Sequence, residues 1–362
     1  TGVTTSSSLS CSVTASDADG ETLSEDYTWT NGSTTLGTAS TLSLTNTASS
    51  PTDTITCSVT VTDSSSATAT DSASVSVENT LPKIASVSIS PTDPTVTDTV
   101  SCTATASDPD GDTPTIDYEW TTSSSTIGSG SSLDLSTTSQ LKGDTLSCEV
   151  TVTDDQGDTA TDSASVTIAN SVPSVSGVSI SPASPSVTDG LSCSYTFADD
   201  DSDTDASNVT WTVGSNTVGT GTTLAAGAVS KNETVTCTVT PSDGTDTGTA
   251  GSDAVTVVNT APVVSAVAID QSSPTVSDEL TCSYTFVDDD SDTDASGVTW
   301  SIGSTTVGTG TTLAAGSAIK GDTVVCSVEA DDGEDTGNTD TASTTIQNSA
   351  PTTPVVSISP TA

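Results

Sequence analysis

Apolar residues recur at every second position in short runs along this chain. Leu9, Cys11, Val13 and Ala15 alternate with Ser and Thr, and so do Ile55, Cys57, Val59 and Val61. The same alternation returns at Leu146, Cys148, Val150 and Val152, and at Leu191, Cys193, Tyr195 and Phe197. A period of two predicts β-strands with one face buried. Thr at the outward positions suits that geometry, because its branched Cβ packs well on a pleated surface. No stretch carries the 3.6-residue period of a helix, so the predicted class is all-β.

The strands belong to a long repeat. The motif Asn-Ser/Thr-x-Pro begins at Asn79, Asn170, Asn259 and Asn348, and one tryptophan falls in each period, at Trp29, Trp120, Trp211 and Trp300. Cysteines form two series with the same period: Cys11, Cys102, Cys193 and Cys282, then Cys57, Cys148, Cys237 and Cys326. Two inward cysteines per period, with a tryptophan between them in sequence, match an immunoglobulin-type sandwich core. The simplest pairing is within each repeat, Cys11–Cys57, Cys102–Cys148, Cys193–Cys237 and Cys282–Cys326, with the four tryptophans as core residues. Each bridge would close a loop of about 45 residues, contributing roughly 4 kcal/mol on a loop-entropy model. That implies an oxidising compartment, hence an extracellular or cell-surface location.

The expected organisation is four tandem Ig-like β-sandwich domains in an elongated array. Their bounds are 1–81 (a repeat lacking its first strand), 82–172, 173–261 and 262–350, followed by 351–362, the first strand of a further repeat. At a few nanometres per domain the array would be on the order of 15 nm long.

The stretch from Cys102 to Trp120 reads CTATASDPDGDTPTIDYEW, and Cys148 to Ile168 reads CEVTVTDDQGDTATDSASVTI. Both resemble the polycystic kidney disease (PKD) domain family and bacterial Ig-like repeats. In the PKD family an Asp-Pro-Asp-Gly turn leads into a Tyr-x-Trp strand, and a Thr-Val-Thr-Asp-x-x-Gly segment precedes the last strand. The likeness spans all four repeats and is looser in the last two, where the turn reads DDDSDTDAS and the Tyr is Val209 or Val298. The family's Trp-Asp-Phe-Gly-Asp-Gly continuation is absent. The resemblance implies a spacer or adhesion module of a large microbial surface protein.

Charge narrows the choice of partner. Lys and Arg total 4 against 48 acidic residues, a formal net charge of -44. Four scattered lysines make no phosphate-binding patch, which argues against nucleic acid and against anionic membranes. No apolar run reaches the roughly 20 residues of a membrane span. There is no histidine and no Ser–Lys pairing repeated along the chain, so nothing suggests acyl-transfer catalysis or a zinc site, and the chain reads as a non-enzyme. Asn31, Asn208 and Asn232 lie in Asn-x-Ser/Thr sequons, which makes glycans candidate partners.

The turn after the first cysteine strand is acidic in every repeat. Asp108, Asp110 and Asp112 occupy it in the second, Asp199, Asp201, Asp203 and Asp205 in the third, and Asp288, Asp290, Asp292 and Asp294 in the fourth. Alternating carboxylates suit a hard cation such as calcium. They equally suit a turn, where Asp is a favoured residue. No other cofactor is indicated.

The expected function is an extracellular rod, stalk or filament segment. The chain's two ends are out of phase by one strand, so Val355, Val356 and Ile358 align with the strand missing from the first repeat. Two arrangements fit: a window on a longer array, or a subunit whose last strand completes a neighbouring copy head to tail. Alternatives are an adhesin with glycan- or protein-binding modules, spacer domains of a secreted enzyme, and a virion-surface protein.

Overall fold

The computed structural model describes residues 2–123 and 125–359. It is all-β. Among the described residues there is no α-helix, and the only helical turns are short 3-10 segments at Leu44–Asn46 and Leu135–Thr137. The chain divides into two compact units, 1–171 and 172–362, each holding two sandwiches.

The second repeat shows the plan. Lys83–Ser90, Thr99–Ser107 and Ser132–Asp134 form a three-stranded sheet with Thr99–Ser107 at its centre. Thr126–Ser129, Thr115–Thr121, Thr145–Thr153 and Thr159–Thr167 form the facing four-stranded sheet. All pairings are antiparallel. The third and fourth repeats keep the same order of three and four strands. Period-two alternation places Val100, Cys102, Leu146, Cys148, Val150 and Val152 inside, each essentially without solvent contact, and leaves Ser and Thr on the outer faces. Two sheets closed over one apolar layer are the Ig-type solution to burying such strands.

Four disulfides close the sandwiches, at Cys11–Cys57, Cys102–Cys148, Cys193–Cys237 and Cys282–Cys326, with Cα atoms 6.4–6.5 Å apart; the last three join strands of the two sheets, and Cys11 lies just past the end of its strand. Each tryptophan lies beside its disulfide and is at most 4 % exposed. Its indole N–H donates to the backbone carbonyl ten residues downstream: Ala39, Gly130, Gly221 or Gly310, at 2.8–2.9 Å. The bond satisfies the ring's one donor, a condition for burying it at low cost.

The first repeat departs from the plan. Its smaller sheet holds only Ser8–Ser10 and Thr41–Ser43, while the larger keeps four strands. The strand expected over Leu9, Cys11, Val13 and Ala15 stops at Ser10. In the other repeats the counterpart of this segment is paired along its length with a preceding strand. Here the backbone beyond Ser10 has no such partner, and an isolated strand has no ladder to hold it. A groove of about 340 Å³ opens there, lined by Leu9, Cys11, Trp29, Ile55, Cys57 and Val75 among others. Val355, Val356 and Ile358, also expected in a strand, are not in one and are 97 %, 82 % and 94 % exposed.

Candidate functional site

The acidic turns begin as Asx-turns, in which the first aspartate folds the chain back on its own carboxylate. Asp108 Oδ1 accepts from the Asp110 amide at 2.7 Å. Asp199 Oδ1 accepts from the Asp201 and Asp203 amides at 3.0 Å, and Asp288 Oδ1 from the Asp292 amide at 2.9 Å. In all three the other oxygen, Oδ2, is buried and has no hydrogen-bond partner. The Asp108 residue as a whole is 9 % exposed.

In the second and fourth repeats the turn is met by the Asn-Thr-x-Pro motif of the preceding repeat. Within residues 1–171, the Asn79 amide donates to Asp154 Oδ2 at 2.9 Å and to Asp158 Oδ2 at 2.8 Å. The Thr80 amide and hydroxyl both donate to Asp110 Oδ2, at 2.7 and 2.8 Å, and the Thr5 hydroxyl donates to Asp110 Oδ1 at 2.6 Å. Within residues 172–362 the same contacts recur: Asn259 to Asp332 Oδ2 at 2.8 Å and to Asp335 Oδ2 at 3.0 Å, and the Thr260 amide to Asp290 Oδ2 at 2.5 Å. In these two sandwiches the acidic turns thus converge on the Asn-Thr pair of the preceding repeat, the second turn on the asparagine and the first on the threonine.

These bonds set the charge of the carboxylates. Asp154 is pushed up by burial, but the Asn79 bond and the amides of Asp158, Gln156 and Gly157 outweigh that and hold it below the ordinary value. The Asn259 bond and the Asp335 amide likewise hold Asp332 down, assisted by the charge of Lys231. Asp112 moves the other way, raised by desolvation and then by the charges of Asp155, Asp108, Asp110 and Asp154.

Lys231 is the exception in this acidic surface. Its ammonium donates to Asn259 Oδ1 at 3.0 Å, to Asp292 Oδ2 at 2.5 Å and to Glu334 Oε1 at 3.0 Å. The Asp292 bond, more than the opposing desolvation, raises its pKa well above the usual lysine value.

The predicted ligands divide accordingly. Ligand oxygens of Asp199, Asp201 and Asp203 lie within 4.8 Å of one another, as do those of Asp288, Asp292 and Asp332. Asp205 and Asp294 are separate from these groups: they accept from the Tyr195 and Tyr284 hydroxyls at 3.0 and 2.9 Å, and also from the amides of Ser207 and Ser296. A third group, Asp17, Glu21 and Asp63, draws on the second acidic turn of the first repeat, through Asp63. Such clusters are compatible with calcium, which takes six to eight oxygen ligands. What sequence reasoning missed is the part played by the asparagines and by Lys231. The signal was present: lysine precedes the junction asparagine by 28 residues at Lys142 and Lys231.

No protein-family model matches the sequence and no curated protein matches it, so the PKD likeness rests on its motifs alone. Among solved structures, the chain is similar to a tetra-tandem repeat in the extending region of a large adhesion protein, at TM-score 0.32 and 20 % identity over 89 % of this chain and 91 % of that one. It is similar at TM-score 0.28 and 18 % identity to a Ca2+-stabilized adhesin with which an Antarctic bacterium binds ice, over 89 % of this chain and 90 % of that one. Protocadherin gamma B2 extracellular cadherin domains 3–6 give TM-score 0.28 and 12 % identity, over 90 % and 92 %.

Proposed function

We propose that the chain is a segment of an extracellular stalk, built from sandwiches clamped to one another rather than tethered by loose linkers. The observation that carries this reading is the asparagine contact. Asn79 and Asn259 each donate to two aspartates of the following sandwich's second acidic turn, across junctions that contain a proline and almost no linker. Four disulfides support an oxidising location. The work of such a segment is mechanical spacing and requires no reactive group.

Calcium is the proposed ligand of the acidic turns, with Asp199, Asp201 and Asp203 and the group Asp17, Glu21 and Asp63 already gathered. Neutralising them would relieve repulsion in a chain of net charge -44.

The groove of the first sandwich is the complement of a strand carrying apolar residues two apart. Val356 and Ile358 of a second copy have that pattern, as do Val87 and Ile89 in the strand Lys83–Ser90 of the second repeat. Head-to-tail strand addition is therefore the proposed mode of self-association. Sedimentation of the chain and of a V356D/I358D variant tests it: concentration-dependent assembly confined to the unsubstituted chain supports the mode, and equal behaviour removes it.

Small-angle scattering tests the stalk. A maximum dimension of roughly 15 nm is expected, and a compact particle of half that size would refute the reading.

A further inference from the structure

Lys231 occupies the place of a cation. It binds a neutral oxygen, Asn259 Oδ1, and two carboxylates, Asp292 and Glu334, inside the junction between the third and fourth sandwiches. Its side chain is 13 % exposed. Lys142 makes the same first contact in the second repeat, with Asn170 Oδ1 at 2.8 Å. In the first repeat, the residue 28 positions before the junction asparagine Asn79 is Pro51. Proline has no charge and no side-chain donor.

The counterpart oxygens at that junction are orphaned. Asn79 Oδ1, which corresponds to Asn259 Oδ1, is buried without a partner, and so is Asp112 Oδ2, which corresponds to the Asp292 carboxylate held by Lys231. Asp108 Oδ2 is a third, on a side chain whose other oxygen is committed to the Asp110 amide and whose residue is 9 % exposed; its counterpart Asp288 Oδ2 is also without a partner, so Lys231 answers for the first two oxygens only. Lys83, the nearest lysine in sequence, is exposed and makes no hydrogen bond or ion pair with these groups. Buried carboxylate oxygens without a partner carry a desolvation cost that a cation removes.

We propose that the junction between the first and second sandwiches is a calcium site, with Asn79 Oδ1, Asp108 Oδ2 and Asp112 as protein ligands, and that Lys231 performs the cation's task in the junction between the third and fourth. The donor set is all oxygen, one neutral and two anionic, which selects a hard divalent ion and leaves room for water to complete its shell. Asp154 and Asp110 are already saturated by Asn79, Thr80 and Thr5, and they form the frame of the site. One chain thus holds one junction whose rigidity follows calcium concentration and another that carries its own counter-charge.

This rests on the calcium reading of the acidic turns and assigns which junction takes the ion. Calorimetric titration of the 362-residue chain with calcium chloride tests it, with folding of each variant checked by tryptophan fluorescence. Asp112→Asn and Pro51→Lys are each expected to remove one binding event. Lys231→Met is expected to add one, because it vacates the ammonium position without touching any ligand. Unchanged stoichiometry in Pro51→Lys, or no added event in Lys231→Met, overturns the assignment while leaving calcium binding elsewhere intact. A chain that binds no calcium overturns both this and the broader calcium reading.

Discussion

Trp120 and Cys148 lie directly opposite each other on neighbouring antiparallel strands, and the same pairing joins Trp29 to Cys57, Trp211 to Cys237 and Trp300 to Cys326. The indole therefore packs beside the disulfide in every sandwich. Ring and disulfide together supply the bulk that a core of mostly valine lacks.

The bridge should dominate the stability of each domain. Replacing Cys193 and Cys237 by alanine is expected to cost that sandwich about 2–5 kcal/mol. Each sandwich has its own core cluster, so denaturant unfolding followed by Trp fluorescence should show one early transition rather than a uniform shift. A single shifted transition for the whole chain would indicate that the sandwiches do not unfold separately.

The tryptophan contributes both packing and a hydrogen bond. Trp211→Phe leaves the Gly221 carbonyl without its 2.8 Å donor and is expected to cost about 1–3 kcal/mol. Trp211→Ala adds a cavity and should cost about 3–5 kcal/mol. Thermal denaturation of both variants checks the order; equal losses would mean that the hydrogen bond accounts for nearly all of the effect.

How much of this was legible before the structure can be traced residue by residue. The alternation around Leu146–Val152 and the Cys–Trp–Cys order gave the sandwich, because period two and an inward cysteine each fix a face. The fate of the acidic residues was not legible. Asp203 and Asp205 are two apart in sequence, yet Asp203 stays with the turn and Asp205 goes to the Tyr195 hydroxyl. A period cannot separate them, since the choice depends on which side of the chain reversal each one falls. Asn79 reaches Asp154 across 75 residues, a contact that appears only when one sandwich is seated on the next.

Two carboxylates at the surface, Asp189 exposed and Asp278 half-buried, tie stability to pH. Asp189 accepts from the Ser186 amide and hydroxyl, and Asp278 from the Thr275 amide and hydroxyl. These bonds hold both below the ordinary aspartate value. A group lowered in the folded state favours folding fully above its unfolded value of about 3.9, and that contribution fades as pH falls through the folded value. D189N and D278N should therefore lower stability at neutral pH and flatten its decline below about pH 4. Urea midpoints measured across that range decide it; parallel curves for variant and parent would sink the assignment.

The asparagine clamp predicts a mechanical consequence. Asn259 donates two hydrogen bonds to carboxylates of the next sandwich and accepts one from Lys231. Asn259→Ala removes all three at a stroke, whereas Asn259→Asp keeps the acceptor for Lys231 and replaces the donor by a third negative charge facing Asp332 and Asp335. Since Asp332 is buried and relies on that donor, the aspartate variant should be the more damaging despite its near-identical shape. The third and fourth sandwiches keep their own disulfides and cores, so their unfolding transitions should move little in either variant. What should change is the coupling between them, read as increased independent tumbling in NMR relaxation, larger for Asn259→Asp than for Asn259→Ala. Unaltered tumbling in the aspartate variant would show that apolar contacts and the proline at Pro262, rather than the clamp, hold the junction.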